Sequence, residues 1–133
     1  MEFQASAKSP LSWTGDCLIV GICEADLPLS RSLSELDSRV SGLLQELVED
    51  HDFTGKAGTS AAIRVGRDGA VRKLGIVGLG AKDKLDLEGL RQAAAAAAKL
   101  AKKERCTGLG LSFPQVKDAA QSAQALTEGI LLA

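Results

Sequence analysis

The residues that could do chemistry here are three cysteines, a single histidine and a short run of glycines. Cys17 and Cys23 bracket the apolar run Cys17-Leu18-Ile19-Val20-Gly21-Ile22-Cys23, and Cys106 lies far downstream. No CxxC pair exists, and one histidine cannot complete a Cys/His metal site alone. Free cysteine inside an apolar run behaves as a small hydrophobe, so all three are expected to be structural. His51 stands between Asp50 and Asp52. That trio has the residue types of a metal site or an acid–base pair. Its place just past an amphipathic segment predicts solvated groups at a helix end instead.

Gly78-Leu79-Gly80 follows an apolar strand and has the beginning of a dinucleotide fingerprint. The pattern needs a third glycine where this chain has Asp83, and a helix opening at once. A turn at a strand end is the better reading. Gly55-Lys56-Ala57-Gly58 lacks the spacing of a phosphate loop and carries no Gly-Lys-Ser or Gly-Lys-Thr, so Lys56 reads as a loop lysine. Glu35, Glu46, Glu49 and Asp50 fall on a solvated helix face and form no carboxylate dyad. Lys99, Lys102, Lys103 and Arg105 make a basic cluster with no aromatic neighbours, which favours a solvated helix terminus over nucleic-acid contact. The residues therefore assign no catalytic, cofactor-binding or metal-ligating position.

The elements that would position such groups follow from periodicity. Phe3, Ala5 and Ala7 alternate with polar residues in a short strand ended by Pro10. The run 17–23 predicts a strand covered on both faces. Leu33, Leu36, Val40, Leu43, Leu44, Leu47 and Val48 mark one stripe of a single helix, with Ser32 and Glu35 spaced as a capping box. Ser60–Val65 and Ala70–Leu74 are strands joined by a tight turn at Gly66-Arg67-Asp68-Gly69. The second continues through Gly80, and its glycines predict another backbone passing close, or a loop at the strand end. Asp86 caps a helix from Leu87 to about Arg105, whose inner face is Leu87, Leu90, Ala94, Ala97 and Ala101. Thr107–Leu111 is a short strand, and Val116, Ala119, Ala123, Leu126 and Ile130 mark a last helix. The order β-β-α-β-β-α-β-α predicts a three-layer α/β/α sandwich with a mixed sheet.

The length of 133 residues fits one domain, residues 1–133. A composition of 45% hydrophobic and 25% charged residues is that of a globular chain with a core of its own. A net charge of −1 argues against a nucleic-acid or membrane partner held by long-range charge. Neither a signal-like h-region nor a membrane-length apolar run is present, and a cytoplasmic protein is expected.

Taken in order, several segments resemble the N-terminal domain of the leucyl (cytosol) aminopeptidase family. They are Asp16-Cys17-Leu18-Ile19-Val20-Gly21, then Asp52-Phe53-Thr54-Gly55-Lys56-Ala57-Gly58, then Leu74-Gly75-Ile76-Val77-Gly78-Leu79-Gly80. After them come Leu90-Arg91-Gln92 with the alanines 93–98, and Thr127-Glu128-Gly129-Ile130-Leu131-Leu132-Ala133. The resemblance implies a macro-domain-like fold and a non-catalytic domain followed, in the parent enzyme, by a C-terminal metallopeptidase domain. It implies a homo-hexameric parent that uses two divalent ions, zinc or manganese, to release N-terminal residues of peptides, leucine among the preferred ones. The metal ligands belong to that C-terminal domain, so no site residue carries over to this chain. A different class of function, a free-standing macro-type module binding ADP-ribose, would need a glycine-rich phosphate loop, for which Gly75–Gly80 is the one rough candidate.

Overall fold

The computed structural model describes residues 15–65, 71–114, 116 and 118–132. The expected strand at Phe3–Ala7 and the tight turn at 66–69 lie outside the described residues. Within them, β1 (Gly15–Cys23) leads to α1 (Arg31–Arg39) and α2 (Leu43–Asp50). Next come β2 (Ser60–Arg64) and β3 (Val71–Gly80), then α3 (Leu87–Lys103), β4 (Leu109–Ser112) and α4 (Ala119–Leu132). The sheet runs β2-β3-β1-β4. β1 is parallel to both neighbours, and β2 pairs antiparallel with β3 from Ser60↔Val77 to Arg64↔Lys73. The mixed sheet is as expected.

Alternation along the central strands sorts side chains to the two faces. Leu18, Val20, Ile22, Leu74 and Ile76 pack with Leu36, Val40, Leu44 and Leu47 of the α1–α2 layer. Cys17, Ile19, Val77 and Leu79 pack with Ala93, Ala97 and Ala101 of α3. The result is helices on both sides of a doubly buried sheet, the three-layer α/β sandwich.

Two helices depart from expectation. The stripe 33–48 is not one helix: the chain breaks at Ser41 (φ 59°) and Gly42 (φ 81°). Asp37 fixes the break by accepting the Gln45 amide at 3.0 Å, which serves the open N-terminus of α2 in place of a cap side chain. The stripe still looked continuous because both helices bury the same face, with Leu36, Val40, Leu44 and Leu47 all nearly inaccessible. The cap of α1 is Ser30, whose Oγ accepts from the Leu33 amide, and not Ser32. Glu35 instead faces Arg31 in an exposed pair at 3.7 Å.

In α4 the expected inner positions Ala119 and Ala123 are exposed, whereas Ser122, Ala125 and Gly129 are buried. The reason is the partner. α4 packs against α3 so closely that a Cβ on Gly129 would stand 2.8 Å from the Ala94 Cβ, so the smallest residues of α4 turn inward. α3 is thus buried on two sides, by the sheet and by α4, which is the use of its alanine block. Asp86 caps it as expected, accepting the Gly89 amide at 2.7 Å.

Candidate functional site

In open α/β sheets ligands sit outside the carboxyl ends of the parallel strands, where Gly78–Gly80 ends β3. The structure fills that place with the chain itself. The segment from Phe53 to Thr59 crosses the ends of β1 and β3. Gly55 lies so close that a Cβ on it would stand 2.8 Å from the Cys23 carbonyl carbon. The Gly78 amide donates to the Thr59 carbonyl at 2.8 Å, and the Gly80 amide to the Gly55 carbonyl at 2.7 Å. The Lys56 carbonyl accepts from the Thr59 amide and hydroxyl. The two glycine amides that could have cradled a phosphate are therefore spent on backbone. This is the close backbone approach that the glycines announced in the sequence.

What remains beside the loop is a shallow cavity of about 110 Å³. It is lined by Ala57, Gly78, Leu79, Gly89, Gln92 and Ala93, so Gln92 brings its one polar side chain among these six. Pockets for drug-sized ligands run to roughly 300–1,000 Å³. This one falls short of that range. Calorimetric titration with ADP-ribose is expected to give no heat beyond dilution, and a saturable exotherm would reverse that reading.

The other residues singled out from sequence are kept apart. His51 hydrogen-bonds through Nδ1 with the Leu47 carbonyl at 3.2 Å, at the end of α2, and its flanking carboxylates are exposed. Lys56 is exposed. Lys99, Lys102, Lys103 and Arg105 are exposed around the end of α3, where the Lys73 ammonium donates to the Glu104 carbonyl. All three cysteines are buried and reduced. Burial, above all, holds the Cys17 thiol far above its ordinary range, and burial likewise raises Cys23 and Cys106. Among the described residues no group of three or more His, Cys, Asp or Glu side chains could hold a metal ion.

Sequence reasoning missed two polar clusters. Asp16 accepts from the Thr107 amide at 2.7 Å and faces Arg72 at 3.6 Å, so it clasps the start of β1 to the turn before β4. Arg91 of α3 bridges Glu88 and Glu128, the latter at 2.8 Å on α4. A hydrogen bond from Gln124, then the Arg91 guanidinium, hold the Glu128 carboxyl below its ordinary range. A depressed folded-state value means that its small contribution is present at neutral pH and is lost as pH falls through that value. An acid at a strand start and one at mid-helix carry no pattern; only the topology pairs them.

Comparison with known proteins is consistent across sequence and structure. A family model described as the N-terminal domain of the cytosol aminopeptidase family matches residues 19–133. A probable cytosol aminopeptidase of Rippkaea orientalis is 47% identical over 92% of this chain and 25% of its own length. One of Nostoc punctiforme is 46% identical over 100% of this chain and 27% of its own. A solved structure of a tomato leucine aminopeptidase mutant aligns with a TM-score of 0.80 at 25% identity, over 99% of this chain and 28% of that one. The chain spans about a quarter of the length of the curated relatives it matches.

Proposed function

This chain belongs to the cytosol aminopeptidase family as its N-terminal domain, and from that premise we propose that it is the non-catalytic part of a two-metal exopeptidase. The parent enzyme releases N-terminal residues from peptides in the cytoplasm, with leucine among those preferred, and works as a homo-hexamer. The observation that carries this reading is the family match over 19–133 in a chain a quarter the length of its relatives.

In the parent, a pair of zinc or manganese ions would supply an activated water and polarise the scissile carbonyl. The described residues of this chain do not fit such a pair. It needs several carboxylates converging on one point, and among the described residues no three acidic, histidine or cysteine side chains are grouped so that they could hold an ion. Asp16, Glu88 and Glu128, the three drawn into clusters, are engaged by Thr107 and Arg72, by Arg91, and by Arg91 with Gln124 respectively. The part of this chain is then to pack against its own C-terminal peptidase domain and to support assembly.

The test compares three polypeptides: this chain, the full-length parent, and the parent lacking residues 1–133. Only the full-length enzyme is expected to hydrolyse a leucine anilide at its full rate with added manganese, and this chain is expected to be inert. The truncated parent is expected to show a smaller assembly mass or altered substrate selectivity. Metal-dependent turnover by this chain, or a truncated parent with unchanged mass and kinetics, would overturn the proposal.

A further inference from the structure

One helix of the fold has an outer face without charge. The outward positions of α1 and α2 carry Arg31, Glu35, Glu46, Glu49 and Asp50, as a solvated helix face should. α4 differs. Its only charged residue is Glu128, which is paired with Arg91 on α3. Opposite the buried Ser122, Ala125 and Gly129, the stripe Ala120, Gln124, Thr127 and Leu131 recurs at helical spacing. The Gln124 side-chain amide donates to the Glu128 carboxylate at 3.0 Å, and the Thr127 hydroxyl to the Ala123 carbonyl at 2.9 Å. Both polar side chains of the stripe thus find partners within the helix. Leu131 is 76% exposed, and no other large apolar side chain among those described is exposed. Ile130, next to it, is half-buried against the cluster between the sheet and α3.

We propose that this outer face of α4 is where the domain meets the peptidase part of its own polypeptide, covered there by an apolar, uncharged surface. The inference rests on the reading of this chain as the N-terminal domain of an aminopeptidase. That reading puts the rest of the polypeptide beyond α4. The family match runs through the whole helix, and the part matched is 27% of the Nostoc punctiforme relative, so most of such a protein follows. It is therefore tethered close to Leu131.

Area selects the same occupant. The stripe is about 20 Å long and 10 Å wide, on the order of 200 Å². A self-standing pair of proteins needs about 800 Å² from each partner, so a second copy of this chain is not held by this face alone. A tethered domain is, because the covalent link gives the contact a high effective concentration. Contacts made elsewhere between the two domains then add to it.

The experiment places a thiol on this face. Leu131→Cys and Ala120→Cys are made separately in this chain and in the full-length parent, and alkylation by iodoacetamide is followed at that position by peptide mass. The native thiols of this chain are buried and do not compete. Each rate is divided by that of the same protein unfolded in urea. Both positions are expected to react openly in this chain and about tenfold more slowly in the parent. Rates that agree within about twofold between the two proteins overturn the proposal. Protection already present in this chain and growing with its concentration also does so, since a second copy then covers the face. Protection in the parent that is lost on dilution to single subunits has the same force. Leucine anilide hydrolysis by the unsubstituted parent is measured alongside. Turnover with Leu131→Cys left open sinks this inference alone, whereas a parent without turnover sinks the aminopeptidase reading whatever the labelling shows.

Discussion

Gly78→Ala lowers the stability of the isolated chain by about 3 kcal/mol, the upper end of what overpacking a filled site costs. A methyl group at this position would stand 2.0 Å from the Lys56 carbonyl oxygen and 2.6 Å from the Thr59 hydroxyl. Both belong to the segment that seals the carboxyl end of β3. The strand cannot retreat, because its neighbours Val77 and Leu79 are buried against α3. The loop must move instead, and it then loosens the bonds from the Gly78 and Gly80 amides, each worth about 1 kcal/mol net. Urea melts give the measurement. Gly108→Ala is the matched control, since a Cβ there meets nothing within 4 Å; it should stay within about 0.5 kcal/mol of the parent chain. If Gly78→Ala matched this control, the seal over the strand ends would be soft and the cavity beside it open to enlargement.

That seal also shows where sequence reading reached its limit. The run 74–80 is apolar with three interspersed glycines, and those glycines do signal a close approach, because a residue without a side chain in a strand leaves room for something. The sequence does not say what fills the room. The partner, Gly55–Thr59, lies about twenty residues upstream and meets the strand only because β2 doubles back along it. Face and break were likewise unequal in legibility. The stripe from Leu33 to Val48 identifies which side of the α1–α2 layer is buried, since that depends on hydrophobicity alone. The kink at Ser41-Gly42 depends on a backbone geometry and on the Asp37 bond to Gln45, which periodicity does not register. The inner face of α4 was legible only in part, at Ile130 and not at Ala119 or Ala123, for a further reason. Hydrophobic stripes predict contact with large side chains, whereas here the fully buried residues are Ser122, Ala125 and Gly129, chosen for smallness, beside a partly buried Ile130. The candidate site followed the same division. From spacing alone the glycines, His51 and Lys56 are expected to form no nucleophile–base or phosphate arrangement; the structure adds that His51 sits at the end of α2 and that the Gly78 and Gly80 amides bond to loop carbonyls. The Asp16 clasp joins residues about ninety positions apart, and only the parallel pairing of β1 with β4 brings them together.

Gly129→Ala should act on one layer of the sandwich, which makes it the sharper probe of how α4 is held. The added methyl would lie 2.1 Å from the Arg91 carbonyl oxygen and 2.8 Å from the Ala94 Cβ. α3 cannot give way, since its opposite side is pressed to the sheet through Ala93, Ala97 and Ala101. α4 has α3 as its main neighbour and no strand behind it of comparable contact, so the helix that moves is α4. Outward movement uncovers Ser122 and Ala125, now buried, and pulls Glu128 from Arg91. The expected outcome is a loss of about 2 kcal/mol with a local signature. Amide exchange should speed up through Ala119–Leu132 and on the outer side of α3, while β1 and β3 keep their protection. A uniform loss of protection across the sheet would mean instead that α4 is integral to the cooperative core.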